Sequence, residues 1–118
     1  MNKDTNTPAT TAQVEAAPKK EDISPVVTFG KPYTFEHKTY ESIDLSGLDN
    51  LTAEDMIAAD KYLTGNGNFS PMPEMSLEYA LYIASVATGL PVEFFRHLPP
   101  KDAIKVKNRV TNFFYAED

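Results

Sequence analysis

The last third of the chain carries closely spaced signals that end and begin helices. Gly89 follows an apolar run and suits the left-handed residue that closes a helix, and Pro91 suits the first turn of the next one. Pro99-Pro100 then stops that short element, because proline cannot continue a helix but is tolerated in the first turn of a new one. The spacing therefore predicts a short third helix over residues 92–98 and a longer fourth helix over residues 100–115.

The predicted fourth helix has two distinct faces. Its apolar face recurs in steps of three and four residues through Ala103, Val106, Val110, Phe113 and Phe114. Its basic face, with a cation every fourth residue, consists of Lys101, Lys105 and Arg109. The basic face suits water, an acidic partner helix or phosphate, and the aromatic cluster is core if it packs inward and a protein-binding patch if it is exposed. The candidate partner-binding residues are therefore Lys101, Lys105, Arg109, Phe113, Phe114 and Tyr115.

Two earlier helices are predicted from their ends. Thr52 suits an N-cap, Asp55 stands at the reciprocal position of a capping box, and Gly65 ends this first helix. One face of it is predicted to hold Met56, Ala59 and Leu63, with Ile57 beside them. The second helix begins at Ser76 and ends at Gly89. Because it is apolar on most sides, we expect it to lie at the centre of the core.

A β-hairpin is predicted before the helices. Aromatic residues and threonines are concentrated over residues 33–35 and 38–40, a composition that favours strands. The intervening pair Glu36-His37 lacks the Asn-Gly or Asp-Gly that a two-residue turn prefers. Residues 44–50 are predicted to form a loop, and residues 69–75 an extended connector.

The expected fold class is mainly α. We predict a small helical domain of about four helices, one of them short, with an N-terminal β-hairpin and a disordered N-terminal tail. Residues 1–24 are the predicted tail, because they contain too few large apolar side chains to offset the entropy of ordering them. Residues 25–118 are the predicted helical domain, and a chain of 118 residues leaves room for one.

Composition argues against several classes of function. The chain has no cysteine, so disulfides and thiol catalysis are excluded, and its net charge of -6 disfavours nucleic acid. The two histidines, His37 and His97, fall in a predicted turn and at a helix end, and no calcium or phosphate loop pattern is complete. We expect no enzyme activity, no cofactor and no metal. With no apolar run of membrane-spanning length and no secretory signal, a cytosolic protein without membrane contact is expected.

Residues 27–115 resemble the tail assembly chaperone family of long-tailed, siphovirus-type bacteriophages and prophages. The segments that carry the resemblance, in order, are YTFEHKTY at 33–40, IDLSGL at 43–48, LTAEDM at 51–56, SLEYA at 76–80, ATGLP at 87–91, LPPKDA at 98–103 and VTNFF at 110–114. The chain departs from the pattern at His37, where the hairpin turn is expected to carry glycine. The segments are structural signals rather than catalytic residues.

The resemblance implies a non-enzymatic role. A member of this family is expected to bind the tape measure protein, to keep it soluble and to promote assembly of tail tube subunits around it. It would act in the host cytoplasm and be absent from the mature virion. The alternatives left open are a structural virion component, such as a tail-completion or connector subunit, and a small nucleic-acid-binding regulator. Self-association also stays open, because the basic end of one copy could meet the acidic middle of another.

Overall fold

The computed structural model describes residues 24–115. The predicted tail, residues 1–24, lies outside this range except for Ser24, and residues 116–118 lie outside it as well. The elements follow in the order β1 (Val26–Phe35), β2 (Lys38–Asp44), a 3-10 helix (Ser46–Asn50), α1 (Ala53–Gly65), a second 3-10 helix (Pro73–Met75), α2 (Leu77–Thr88), α3 (Val92–Arg96) and α4 (Pro100–Tyr115). This confirms the mainly helical fold with an N-terminal hairpin.

The predicted turn joins β1 to β2 in an antiparallel hairpin. Glu36 and His37 have φ values of 50° and 69°, and a two-residue type I′ turn requires positive φ at both positions. Such values are unfavourable for residues that carry a Cβ atom. The turn is therefore imposed by the pairing of the two strands rather than by the preference of its own residues.

The strand pairing is irregular in the middle of β1. Tyr33 pairs with Tyr40, and Thr28 pairs with Ser42. Residues 29–32 of β1 are therefore opposed by a single residue of β2, which makes a large bulge. As a result the backbone in this part of β1 is available for contacts outside the sheet.

Phe94 of α3 joins the hairpin to the helices. Its side chain is fully buried. Four hairpin rings surround it at centroid distances of 4.8 to 6.3 Å: Phe29, Tyr33, Phe35 and Tyr40. The hydroxyl of Tyr33 also donates to the backbone oxygen of Phe94 at 2.8 Å. The short helix that the proline spacing predicts is thus the element on which the hairpin packs.

Helix α2 lies at the centre of the fold, as predicted. The Ser76 hydroxyl accepts the N–H of Tyr79 at 3.1 Å at its beginning, and Gly89 closes its end with a φ of 78°. It packs against α1, α3, α4 and the first 3-10 helix. Its buried residues are Tyr79, Ala80, Leu81, Ile83 and Ala84. Leu77 and Val86 near its two ends remain exposed, so the apolar surface is not covered all round.

Helix α1 has the predicted ends, but only part of its predicted apolar face is buried. The backbone N–H of Thr52 donates to the Asp55 carboxylate at 2.9 Å, and the helix ends at Gly65. Its buried residues are Ala59 and Leu63. Met56, which shares that face, and Ile57 beside it are exposed.

Three other segments differ from the prediction. The loop predicted over residues 44–50 contains a 3-10 helix, which buries Leu48 and brings Gly47 against α2. The predicted extended connector 69–75 closes with the second 3-10 helix. Helix α3 ends at Arg96 rather than at residue 98. The residue before a proline avoids helical geometry, which keeps Leu98 out of the helix.

Candidate functional site

The predicted basic face of α4 lies along one edge of β1. The Lys105 ammonium donates to the backbone oxygen of Thr28 at 2.9 Å. The Arg109 guanidinium donates to the backbone oxygens of Ser24, at 2.8 Å, and Val26, at 2.6 Å. Lys101 is exposed on the first turn of the helix. Two of the three predicted cations therefore bond the protein's own backbone.

These carbonyl groups lie on the side of β1, and of the two residues before it, that faces away from β2. The oxygen of Pro25 accepts the N–H of Leu45, just beyond the end of β2, at 2.7 Å. Carbonyl groups alternate in direction along a strand, so those of Ser24, Val26 and Thr28 point to the opposite side. Lys105 and Arg109 of α4 thus satisfy an edge that a third strand would otherwise pair with.

Asp102 adds a contact between α4 and the bulge in β1. Its side chain is only 6% exposed, and its Oδ1 atom accepts the N–H of Gly30 at 3.0 Å. The Lys105 ammonium lies 3.7 Å from the same oxygen. The sequence patterns missed this role, since an aspartate in the first turn of a helix is already explained by the helix dipole.

A groove opens between α4 and this strand edge. It is lined by Ser24, Val26, Thr28, Lys105 and Arg109, and we call it the α4–β1 groove. Its volume is about 340 Å³, within the range of roughly 300–1,000 Å³ typical of ligand pockets. Backbone carbonyl groups form one wall and two cationic side chains form the other.

Exposed apolar side chains also occur on the elements that meet where α2 begins and α4 ends, and we call this group the apolar end. The second 3-10 helix packs against both α2 and α4 there. Its members, between 37% and 49% exposed, are Met72, Met75, Leu77, Phe113 and Tyr115. Phe114 is half-buried, with its ring 6.2 Å from that of Tyr79. The predicted aromatic cluster is therefore divided, because Phe114 joins the core while Phe113 and Tyr115 reach the surface.

Glu78 organises the segment that leads to the apolar end. Its carboxylate accepts hydrogen bonds from Asn66 at 2.8 Å, Asn68 at 3.1 Å and Arg96 at 3.0 Å. Arg96 also donates to the hydroxyl of Tyr62 at 2.9 Å. Burial raises the pKa of Glu78, but the bonds from these three side chains and the charge of Arg96 outweigh it, so the pKa is lowered overall. The network joins α1, α2 and α3.

Few of the described residues suit other chemistry. His37 lies in the hairpin turn, and His97 follows the last residue of α3. Within residues 24–115 no three His, Asp or Glu side chains come together as a metal ion would require. None of the helices in this range is long and apolar enough to span a membrane.

Comparison with known proteins identifies a family that matches most of the chain. A family model described as "Phage tail assembly chaperone proteins, E, or 41 or 14" matches residues 26–115, from the start of β1 to the end of α4. The curated proteins and the solved structures that were searched contain no significant match.

Proposed function

The chain belongs to the phage tail assembly chaperone family, and we propose that it binds the tape measure protein through the apolar end. Binding would keep this client soluble until tail tube subunits assemble around it. The role proposed is one of protein binding, with no enzymatic step and no cofactor. The protein would act in the host cytoplasm and be absent from the mature virion.

The exposed apolar side chains of the apolar end carry this proposal. Exposed apolar side chains grouped in one region of a small domain are a common sign of a protein-binding site. Two of its members are methionines, whose unbranched, polarisable side chains adapt to different partners. Such a surface suits the apolar face of an amphipathic client helix, which docks through residues three and four apart.

Co-expression with the tape measure protein tests the proposal. The double substitution Met75→Glu and Phe113→Glu places two charges on the apolar end, and we expect it to abolish both the complex and the gain in client solubility. Val86→Glu is the matched control, because Val86 is similarly exposed near the other end of α2. If the client is equally soluble with and without the wild-type chain, the proposed function is wrong.

Mass spectrometry of purified particles tests the proposed absence from the virion. A chaperone that is released during assembly should be detected in infected-cell lysate and not in the particles. A fixed number of copies in each particle would instead support a tail-completion or connector subunit.

A further inference from the structure

The carbonyl groups on the outer edge of β1 accept hydrogen bonds from side chains, and the N–H groups of another strand could donate these bonds instead. Three alternate carbonyl groups, of Ser24, Val26 and Thr28, accept hydrogen bonds from Lys105 and Arg109 of α4 alone among the contacts described above. Both are long side chains with several rotatable bonds, and 45% of the Lys105 side chain is exposed. A row of alternate carbonyl groups is also what an added antiparallel or parallel strand recognises.

We propose that the α4–β1 groove binds an extended, acidic segment of a partner protein, which pairs with β1 as a third strand. Backbone N–H groups of the segment would donate hydrogen bonds to the three carbonyl groups in place of Lys105 and Arg109. The carboxylates of the segment would pair with the side chains of Lys105 and Arg109. The exchange would replace bonds from the two cations to neutral carbonyl oxygens by stronger bonds between opposite charges.

The structure defines the length and the charge of the segment. At Gly30 the edge is closed by the buried carboxylate of Asp102, so pairing is confined to residues 24–28. Two cations line the groove although the chain as a whole carries a net charge of -6. The site therefore selects a short acidic strand of about five residues rather than a neutral or basic one.

This inference is separate from the proposed binding of the tape measure protein. It concerns a different surface, and its test uses no phage component. A failed test here leaves the apolar end as the client site, and a failed co-expression test leaves the groove untouched.

The probe is a fluorescein-labelled peptide of four Glu-Thr repeats, which is acidic and favours an extended backbone. We expect saturable binding to the full-length chain by fluorescence anisotropy. A peptide of four Lys-Thr repeats should bind at least roughly tenfold more weakly, because it repels both cations. The Glu-Thr peptide with N-methyl groups at alternate residues keeps the charge but loses the N–H donors of one edge, so it should also bind at least roughly tenfold more weakly.

Two further measurements locate the site. The double substitution Lys105→Gln and Arg109→Gln should weaken binding roughly tenfold or more, whereas Lys101→Gln, which removes an exposed charge from the same helix, should have little effect. In case the double variant does not fold, amide NMR of the wild-type chain provides an independent readout. The largest shifts on adding the peptide should fall at Val26, Thr28 and residues 105–109.

Several results would overturn the proposal. They are the absence of binding, equal binding of the N-methylated peptide, and largest NMR shifts at the apolar end. Tighter binding of a single-stranded DNA oligonucleotide than of the Glu-Thr peptide would also overturn it, and would identify the groove as a phosphate-binding site. Competition by a second copy of the chain, seen as concentration-dependent dimerisation blocked by Lys105→Gln and Arg109→Gln, would reassign the groove to self-association.

Discussion

The Asp102 carboxylate accepts the backbone N–H of Gly30 at 3.0 Å, across 72 positions of sequence. This bond ties the first turn of α4 to the bulge of β1 at a buried position. Because Lys105 and Arg109 bond the same strand further along, α4 holds the outer edge of the hairpin in register. The arrangement makes the hairpin depend on the C-terminal helix.

Removing that acceptor should destabilise the fold. Asp102→Ala leaves the N–H of Gly30 without its partner and Lys105 without a nearby carboxylate, which should lower the free energy of unfolding by about 1.5–3 kcal/mol. Asp102→Asn keeps an acceptor oxygen and should cost less. Urea denaturation followed by circular dichroism measures both. Equal losses for the two variants would mean that the hydrogen bond to Gly30 is unimportant.

Gly47 is needed for the first 3-10 helix to approach α2. A Cβ atom at this position would fall on the backbone oxygen of Ala87. Because backbone atoms cannot move aside as a flexible side chain does, Gly47→Ala should lower the midpoint of thermal unfolding, with a cost of about 1–3 kcal/mol.

Gly65→Ala is the matched control for this prediction. A Cβ atom there meets nothing within 4 Å, and Gly65 is the last residue of α1. The substitution should therefore be neutral or stabilising by up to about 1 kcal/mol. A destabilisation as large as that of Gly47→Ala would contradict the steric explanation.

The Glu78 network should make stability depend on pH. The pKa of Glu78 is lowered in the folded state by its hydrogen bonds and by Arg96, so the folded state binds the proton less readily than the unfolded one. The contribution is therefore complete above the unfolded pKa of 4.5 and is lost as the pH falls through the lower folded value.

Glu78→Gln tests this dependence by removing the charge at every pH. We expect a loss of about 1 kcal/mol at neutral pH, because the ion pair with Arg96 is partly exposed. The difference from wild type should shrink in acid, as the wild-type carboxylate is protonated. Chemical denaturation at several pH values measures it. A difference that is constant from neutral pH into acid would argue against an ionised Glu78 in the folded state.

Glycine at position 37 of the hairpin turn should stabilise the fold. His37 has a φ of 69°, which glycine adopts without a steric cost. His37→Gly is therefore expected to raise the free energy of unfolding by about 0.5–1 kcal/mol. His37→Ala keeps the Cβ atom and should give no such gain. An equal gain from both would show that the imidazole itself, rather than the backbone, is unfavourable there.

Local signals in the sequence determined the helix ends. Ser76, Gly89 and Pro100 act within one turn of their own position, through a cap, a left-handed residue and a fixed φ. The bounds of α4 and the central place of α2 were predictable for that reason. The position of the hairpin turn was predictable too, although its residues are unusual for a type I′ turn.

The two surfaces were only partly predictable. The helical periodicity correctly placed Lys105 and Arg109 on one face of α4, and it placed Phe113 and Phe114 near the end of that helix. It did not show that the cations bond β1 or that only Phe114 packs inward. Met72 and Met75 went unnoticed, because isolated methionines in a connector carry no periodic signal.

The sequence by itself thus determined where α1, α2 and α4 begin and end, which face of α4 is apolar, and the family to which the chain belongs. Only the tertiary structure decided what Asp102, Lys105 and Arg109 contact, and that Phe94 joins the hairpin to the helices. The physical reason is the range of the interactions. Caps and turns act over a few residues, whereas the contacts of α4 with β1 join positions more than 70 residues apart, which no local pattern specifies.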